Sequence, residues 1–146
     1  MSKPPAYTNI KVNLMDSDTL CKYGFKNWYR LRDISSGEIT PPSESGVYVL
    51  RLNRSFGRLK GESDILYIGS TSDIYQRIVE NYLEGRGGKT TQRIRYYIFD
   101  REYLELIEIS WVTSINPKQL EEELLKKYEE EHHELPPWNR TLPSNS

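Results

Sequence analysis

One cysteine and two histidines are the whole supply of soft metal ligands in a chain of 146 residues. Cys21 alone cannot close an internal disulfide, and no Cys/His spacing resembles a zinc site. Apolar runs are short, and none approaches the roughly 18 residues of a membrane span. Met1 to Lys11 is polar and proline-bearing, without the apolar centre of a secretory signal. A charge excess is missing too: the formal net charge is −1, which gives no global attraction to nucleic acid. Internal repeats and low-complexity tracts are absent. These absences leave a cytoplasmic protein with no membrane partner, of a length that fits one domain.

What the chain does have is tyrosine, eleven in all, and a segregated charge distribution. Residues 46–101 carry ten Lys/Arg against six Asp/Glu, whereas 102–134 carry three Lys against ten Glu. That asymmetry leaves room for a basic surface on an acidic protein. Leu20 to Ile34, with Tyr23, Phe25, Trp28 and Tyr29, is too aromatic for a free tail. It reads as a short helix or strand packed on the domain, followed by a loop from Ser35 to Ser45.

The rest of the chain reads as β-β-α-(α)-β-α. Gly46–Leu52 and Asp64–Gly69 are strand-like, with Asn53 to Ser63 as a long connection. Ser70 to Asp73 offers helix caps, which predicts a helix over Ser72–Leu83 ended by Gly85 to Gly88. A helical or irregular segment follows near Thr90–Phe99, and Leu104–Thr113 alternates like a third strand. Asn116-Pro117 opens the longest helix, to about His133, and Pro136-Pro137 stops it. The expected fold is α+β: a three-stranded antiparallel sheet flanked by helices. Its parts are an N-terminal extension (1–45) packed on a domain at 46–140, and a tail at 141–146.

Several residues within this frame stand out. Strand alternation puts Leu66 and Ile68 on one face and Ile65 and Tyr67 on the other, and paired strands bring Tyr48 and Tyr67 to one face as near neighbours. Gly69, ending a strand before a capped helix, lets backbone approach an anion. Arg77 shares a helix face with Ile74, Ile78 and Asn81; a guanidinium in an apolar stripe calls for an anion or a salt bridge. On the last helix Leu120, Leu124, Leu125 and Tyr128 form the inner stripe. Glu121 borders it, where a carboxylate can hold a hard divalent ion. Most of the other glutamates there read as a solvated face, and His132 and His133 as surface residues.

Taken in order, Gly46-Val47-Tyr48, Tyr67-Ile68-Gly69, Arg77, a late-helix Glu and Pro137-Trp138-Asn139 resemble the GIY-YIG nuclease family. The likeness runs from Gly46 to Asn139, and the step from Gly69 to Arg77 matches the family spacing. The resemblance implies these roles: Tyr48 as general base or proton relay for the attacking water, and Tyr67 orienting Tyr48 or the phosphate. Gly69 then admits the scissile phosphate, Arg77 stabilises its charge, Glu121 binds one metal ion and Asn139 braces the site. A tyrosine is a poor base at neutral pH, so positive charge from Arg77 or the metal is expected to lower its pKa.

The chain departs from the family pattern in three places. The stretch between the tripeptides is long. Asn81 stands where many members have His or Tyr, with Tyr82 next. Glu121 lies 18 residues before Asn139, which leaves Glu122 as an alternative ligand.

The functional expectation is a metal-dependent endonuclease using Mg2+ or Mn2+, with DNA as partner and RNA as a second candidate. The alternative is a nucleic-acid-binding module that keeps the fold without cleavage. Arg54, Arg58, Lys60, Arg86, Lys89, Arg93 and Arg95 are the candidate phosphate contacts, and Tyr96 and Tyr97 are candidates for stacking on unpaired bases. So small a domain suggests modest sequence specificity, recognition of structure, or a homodimer that cuts two strands.

Overall fold

Alternating apolar residues in Gly46–Gly57 (β2) and Glu62–Thr71 (β3) pair as an antiparallel hairpin, with β2 inside the sheet and β3 at its edge. A computed structural model of the chain describes residues 15–140. The first 14 residues of the N-terminal extension and the tail at 141–146 lie outside the described residues. Ile107–Thr113 (β4) pairs with the other edge of β2, and Tyr29–Arg30 (β1) pairs with β4. The sheet therefore has four antiparallel strands in the order β1-β4-β2-β3, not three. Two residues are too few to show alternation, so β1 escapes sequence reading. It is held by Tyr29, whose ring stacks on Trp111 at 5.0 Å.

Two further expectations change at the hairpin. Leu50 pairs with Tyr67 but Arg51 with Ile65, so Leu66 is an extra residue in β3. Such a bulge turns consecutive side chains to one face. Leu66 and Tyr67 consequently share one core cluster while Ile65 and Ile68 share the other. The connection expected over Asn53–Ser63 is mostly strand: Phe56 pairs with Ser63 and Gly57 with Glu62, leaving a turn closed by the Arg58 amide on the Gly61 carbonyl at 2.9 Å. The polar residues there belong to a ribbon that runs past β4, which pairs with β2 only as far as Leu52.

Helices cover both faces. On one lies Pro117–His132 (α4), burying Leu124, Leu125 and Tyr128 against Val47, Val49, Ile65 and Ile68. Met15, Leu20 from the short 3-10 turn Thr19–Tyr23, and Phe25 join that cluster. On the other face sit Leu31–Ser35 (α1), Gln76–Leu83 (α2) and Lys89–Arg95 (α3), which runs on through a wider turn over Tyr96–Asp100. Their Ile34, Ile78, Ile94 and Ile98 close over Tyr48, Leu50 and Tyr67. Trp138 completes this layer, stacked on Tyr97 at 4.6 Å; Tyr96 stays exposed.

His132 is buried completely, against the surface position expected. Its Nδ1 lies 2.9 Å from the Lys60 carbonyl oxygen and its Nε2 2.7 Å from that of Met15. The ring ties the N-terminal segment and the hairpin turn to the end of α4. Among the described residues no helix is long and apolar enough to cross a membrane.

Candidate active site

Three tyrosines meet on the α2 side of the hairpin. Tyr48 pairs in register with Gly69, one step diagonal from Tyr67, and the two rings lie 6.0 Å apart. Gly69 is what permits this. A Cβ at that position would stand 2.6 Å from Cζ and Oη of Tyr48 and 2.8 Å from Cε2 of Tyr67. On that side of the strand the space is filled by the rings, so the glycine admits tyrosines there.

The third tyrosine, Tyr82, is the residue that sequence reading noted only as the neighbour of Asn81. Its hydroxyl lies 2.6 Å from that of Tyr48, in a fully buried contact. The cause is the helix. α2 is wound with π turns, in which the hydrogen bond spans one residue more than in an α-helix; the Glu84 amide bonds the Val79 carbonyl at 2.9 Å. Each wider turn delays a side chain by about one position. Tyr82, five residues after Arg77, thereby reaches the hydroxyl cluster. Asn81 instead accepts from Arg77 Nε at 3.3 Å and donates to the Arg86 carbonyl. Short π turns interrupting helices concentrate at functional sites, and this one could be read from sequence only as a tyrosine one place late.

Arg77 links the tyrosines to the end of β3. Its Nη1 donates to Tyr48 Oη at 3.3 Å and to the Ser70 carbonyl at 3.4 Å. Asp73 starts the helix by accepting the Gln76 amide at 3.0 Å, in keeping with the capping residues in the sequence. Ser70 faces the opposite layer, where its hydroxyl donates to Glu121 Oε1. Asn139 pairs with main chain as a strand would. Its Oδ1 accepts from the Ile68 amide and its Nδ2 donates to the Ile68 carbonyl, both at 3.0 Å. This clamp fixes β3 beside Gly69.

A cleft of about 840 Å³ opens over this group, lined by Tyr67, Ser70, Arg77, Tyr82, Glu121 and Asn139 among others. Tyr48 and Glu122 are not part of its lining. Burial dominates the titration of the tyrosines. It pushes Tyr48 and Tyr67 well above the ordinary phenol range; the charge of Tyr82 adds to this at Tyr48 and that of Tyr48 at Tyr67, and Arg77 offsets only part. Tyr82 is raised for the same first reason. The lowering expected from Arg77 is therefore outweighed by desolvation. Glu121 is also raised by burial, opposed by the Ser70 hydrogen bond and by Lys118 and Arg77.

The donor set fits one hard cation better than a soft one. No group of three or more His, Cys, Asp or Glu converges among the described residues. A single carboxylate raised by burial and opening on a polar cleft suits Mg2+, which keeps several waters and takes one or two carboxylates.

The basic candidates divide. Lys89 and Arg93 line the cleft, although Arg93 also donates to the Trp138 carbonyl at 2.6 Å. Arg95 donates to the Tyr82 carbonyl at 2.6 Å and covers Phe99. Arg86 is exposed beside Glu80 and Glu84. Arg54, Arg58 and Lys60 sit on the hairpin ribbon away from the cleft lining, with Arg58 bonded to the Leu135 carbonyl and Glu134.

A family model for the GIY-YIG catalytic domain matches residues 44–134. No curated protein and no solved structure matches the chain. The family match covers both tripeptides, Arg77 and Glu121. It extends over more than half of the sequence, and the paired tyrosines on one hairpin lie inside it. The chain belongs to the GIY-YIG family of nucleases.

Proposed function

We propose that the protein is a metal-dependent endonuclease that hydrolyses phosphodiester bonds in DNA. The observation that carries this reading is the convergence on one cleft of a fixed guanidinium (Arg77), a tyrosine hydroxyl (Tyr67) and a half-buried carboxylate (Glu121). Anion, proton acceptor and cation site are the three parts that hydrolysis of a phosphate diester needs.

The scissile phosphate lies against Arg77, whose direction is set by Tyr48 and the Ser70 carbonyl. Tyr67 lines the cleft and Tyr48 does not, so Tyr67 is the residue that meets the attacking water and, as its phenolate, takes the proton. Tyr48 is then a positioning residue, held between Tyr82 and Arg77. As the water oxygen bonds to phosphorus, the bond to the leaving oxygen breaks and charge builds on the non-bridging oxygens beside Arg77. Glu121, supported by Ser70, would hold the divalent ion, with Glu122 outside the lining. That ion, when bound, supplies positive charge at the phosphate and the departing oxygen and favours ionisation of nearby hydroxyls.

Supercoiled plasmid incubated with the protein in Mg2+ or Mn2+ tests the reading. Conversion to nicked circles that stops in EDTA is the expected result. A protein that binds plasmid, branched DNA, single strands and RNA but cuts none is a binding module, and the proposal then falls.

A further inference from the structure

The cleft carries more positive charge than one phosphate requires. Its lining holds Arg77, Lys89, Arg93, Lys118 and Arg140 against a single carboxylate, Glu121, in a chain of net charge −1. Elsewhere several cations are neutralised in place, Arg30 by Asp33, Arg51 by Glu108, Arg58 by Glu134 and Lys127 by Glu131. Others without an ion pair among the described residues, such as Lys22, Lys26, Arg54 and Lys126, stand singly on the exposed surface rather than around one cleft. Among the described residues Lys89, Lys118 and Arg140 take part in no ion pair.

Lys118 is the most telling of the three. It occupies the first turn of α4, a turn without an acidic residue. A helix start already carries partial positive charge, and a lysine there is disfavoured. An anion in the cleft would reverse that penalty. Lys89 and Arg140 come from different elements, the start of α3 and the segment after Asn139. The Arg93 bond to the Trp138 carbonyl fastens these two elements together. The cations thus stand on two walls, with Arg77 and Glu121 at the cleft as well.

The geometry points to flanking-phosphate sites: Lys118 on the α4 wall, and Lys89 with Arg140 on the other, bind phosphates next to the one being cut. The substrate class is then a polynucleotide strand engaged over several linkages, and a small phosphodiester lacks what these sites hold. This rests on the nuclease reading for the identity of the central phosphate. The three cations themselves stand outside the reacting group.

The test pairs two substrates and one binding measurement. Lys118→Ala, Lys89→Ala and Arg140→Ala are exposed changes, checked for folding by circular dichroism. Binding of a fluorescent 20-nucleotide DNA strand is followed by anisotropy from low to moderate salt, with the RNA strand of the same sequence as a second arm. Hydrolysis of bis(4-nitrophenyl) phosphate reports chemistry without neighbouring phosphates. Each substitution is expected to weaken strand binding about five- to tenfold at low salt and to reduce the salt slope by about one. Turnover of the small diester by Lys89→Ala and Arg140→Ala stays within about twofold of the wild type; Lys118→Ala, whose charge also acts on Glu121, is read by strand binding alone. Loss of small-diester turnover in proportion would put Lys89 and Arg140 in the chemistry and overturn the proposal; unchanged strand binding and slope would overturn it as well. If the wild type neither hydrolyses the small diester nor nicks plasmid, the nuclease reading fails, and the binding slopes still decide these sites. Weaker binding of only one of DNA and RNA identifies the strand the sites hold.

Discussion

Burial governs the chemistry of individual side chains in this cleft. Tyr67 is held protonated by desolvation first and then by Tyr48 and Glu121, so its reactive phenolate is scarce at neutral pH. The log of the cleavage rate should therefore climb with pH at a slope near one over roughly pH 6–9. Tyr67→Phe should flatten that profile and lower the rate about a hundredfold or more; a flat wild-type profile would remove Tyr67 as proton acceptor. Glu121 behaves in a related way. Its folded-state pKa is raised, so its contribution to stability is present below its unfolded value and is lost as pH rises through the folded one. At neutral pH the ionised carboxylate destabilises the metal-free protein. Glu121→Gln should raise the melting temperature in EDTA by a few degrees and abolish the further rise that Mg2+ gives the wild type. A variant that melts lower in EDTA and still responds to Mg2+ would move the cation elsewhere. Gly69 was legible as a special position, but not its reason, because only the strand register shows Tyr48 across from it.

Periodicity read the elements well and missed where the period changes. The two hairpin strands, the capped start near Asp73 and the long helix from Pro117 all follow from apolar spacing and turn residues. The bulge at Leu66 and the π turns in α2 do not, since one extra residue leaves composition untouched while shifting every later side chain. Asn81 was placed by α-helical spacing beside Arg77, and it is there. Tyr82 arrives through the wider turn. Two variants separate the hydroxyl from the winding. Tyr82→Phe removes the hydrogen bond to Tyr48, worth about 1–1.5 kcal/mol, and should slow cleavage roughly tenfold. Deleting Asn81 restores four-residue spacing between Arg77 and the tyrosine, and should keep more activity than Tyr82→Phe. The reverse order of rates would mean that the π turn itself, not the hydroxyl, matters.

For the whole molecule, the N-terminal segment is part of the core. Met15, Leu20, Phe25, Leu31 and Ile34 are buried, Ser17 bonds both oxygens of Asp64, and Arg51 lies 4.2 Å over the Trp28 ring. At about 2 kcal/mol for each buried apolar side chain, the five amount to roughly 10 kcal/mol, comparable to the whole stability of a small domain. A chain beginning at residue 36 should therefore fail to fold, read by the loss of a cooperative thermal transition; a sharp transition would show that the segment is dispensable. The aromatic content of Leu20 to Ile34 announced this packing. Its strand did not show, because β1 is defined by its partner β4. His132 was equally hidden, since the carbonyls it bonds come from Met15 and Lys60, over 70 residues away in sequence.

Metal-dependent nicking of supercoiled plasmid by the wild type, Tyr67→Phe, Arg77→Ala and Glu121→Gln, each confirmed folded by its melting curve, is the most direct test of the central claim. The expected result is nicking by the wild type in Mg2+ or Mn2+ and a loss of at least about a hundredfold in all three variants. Wild-type nicking that survives in folded Arg77→Ala or Glu121→Gln would contradict the assignment of this cleft as the active site.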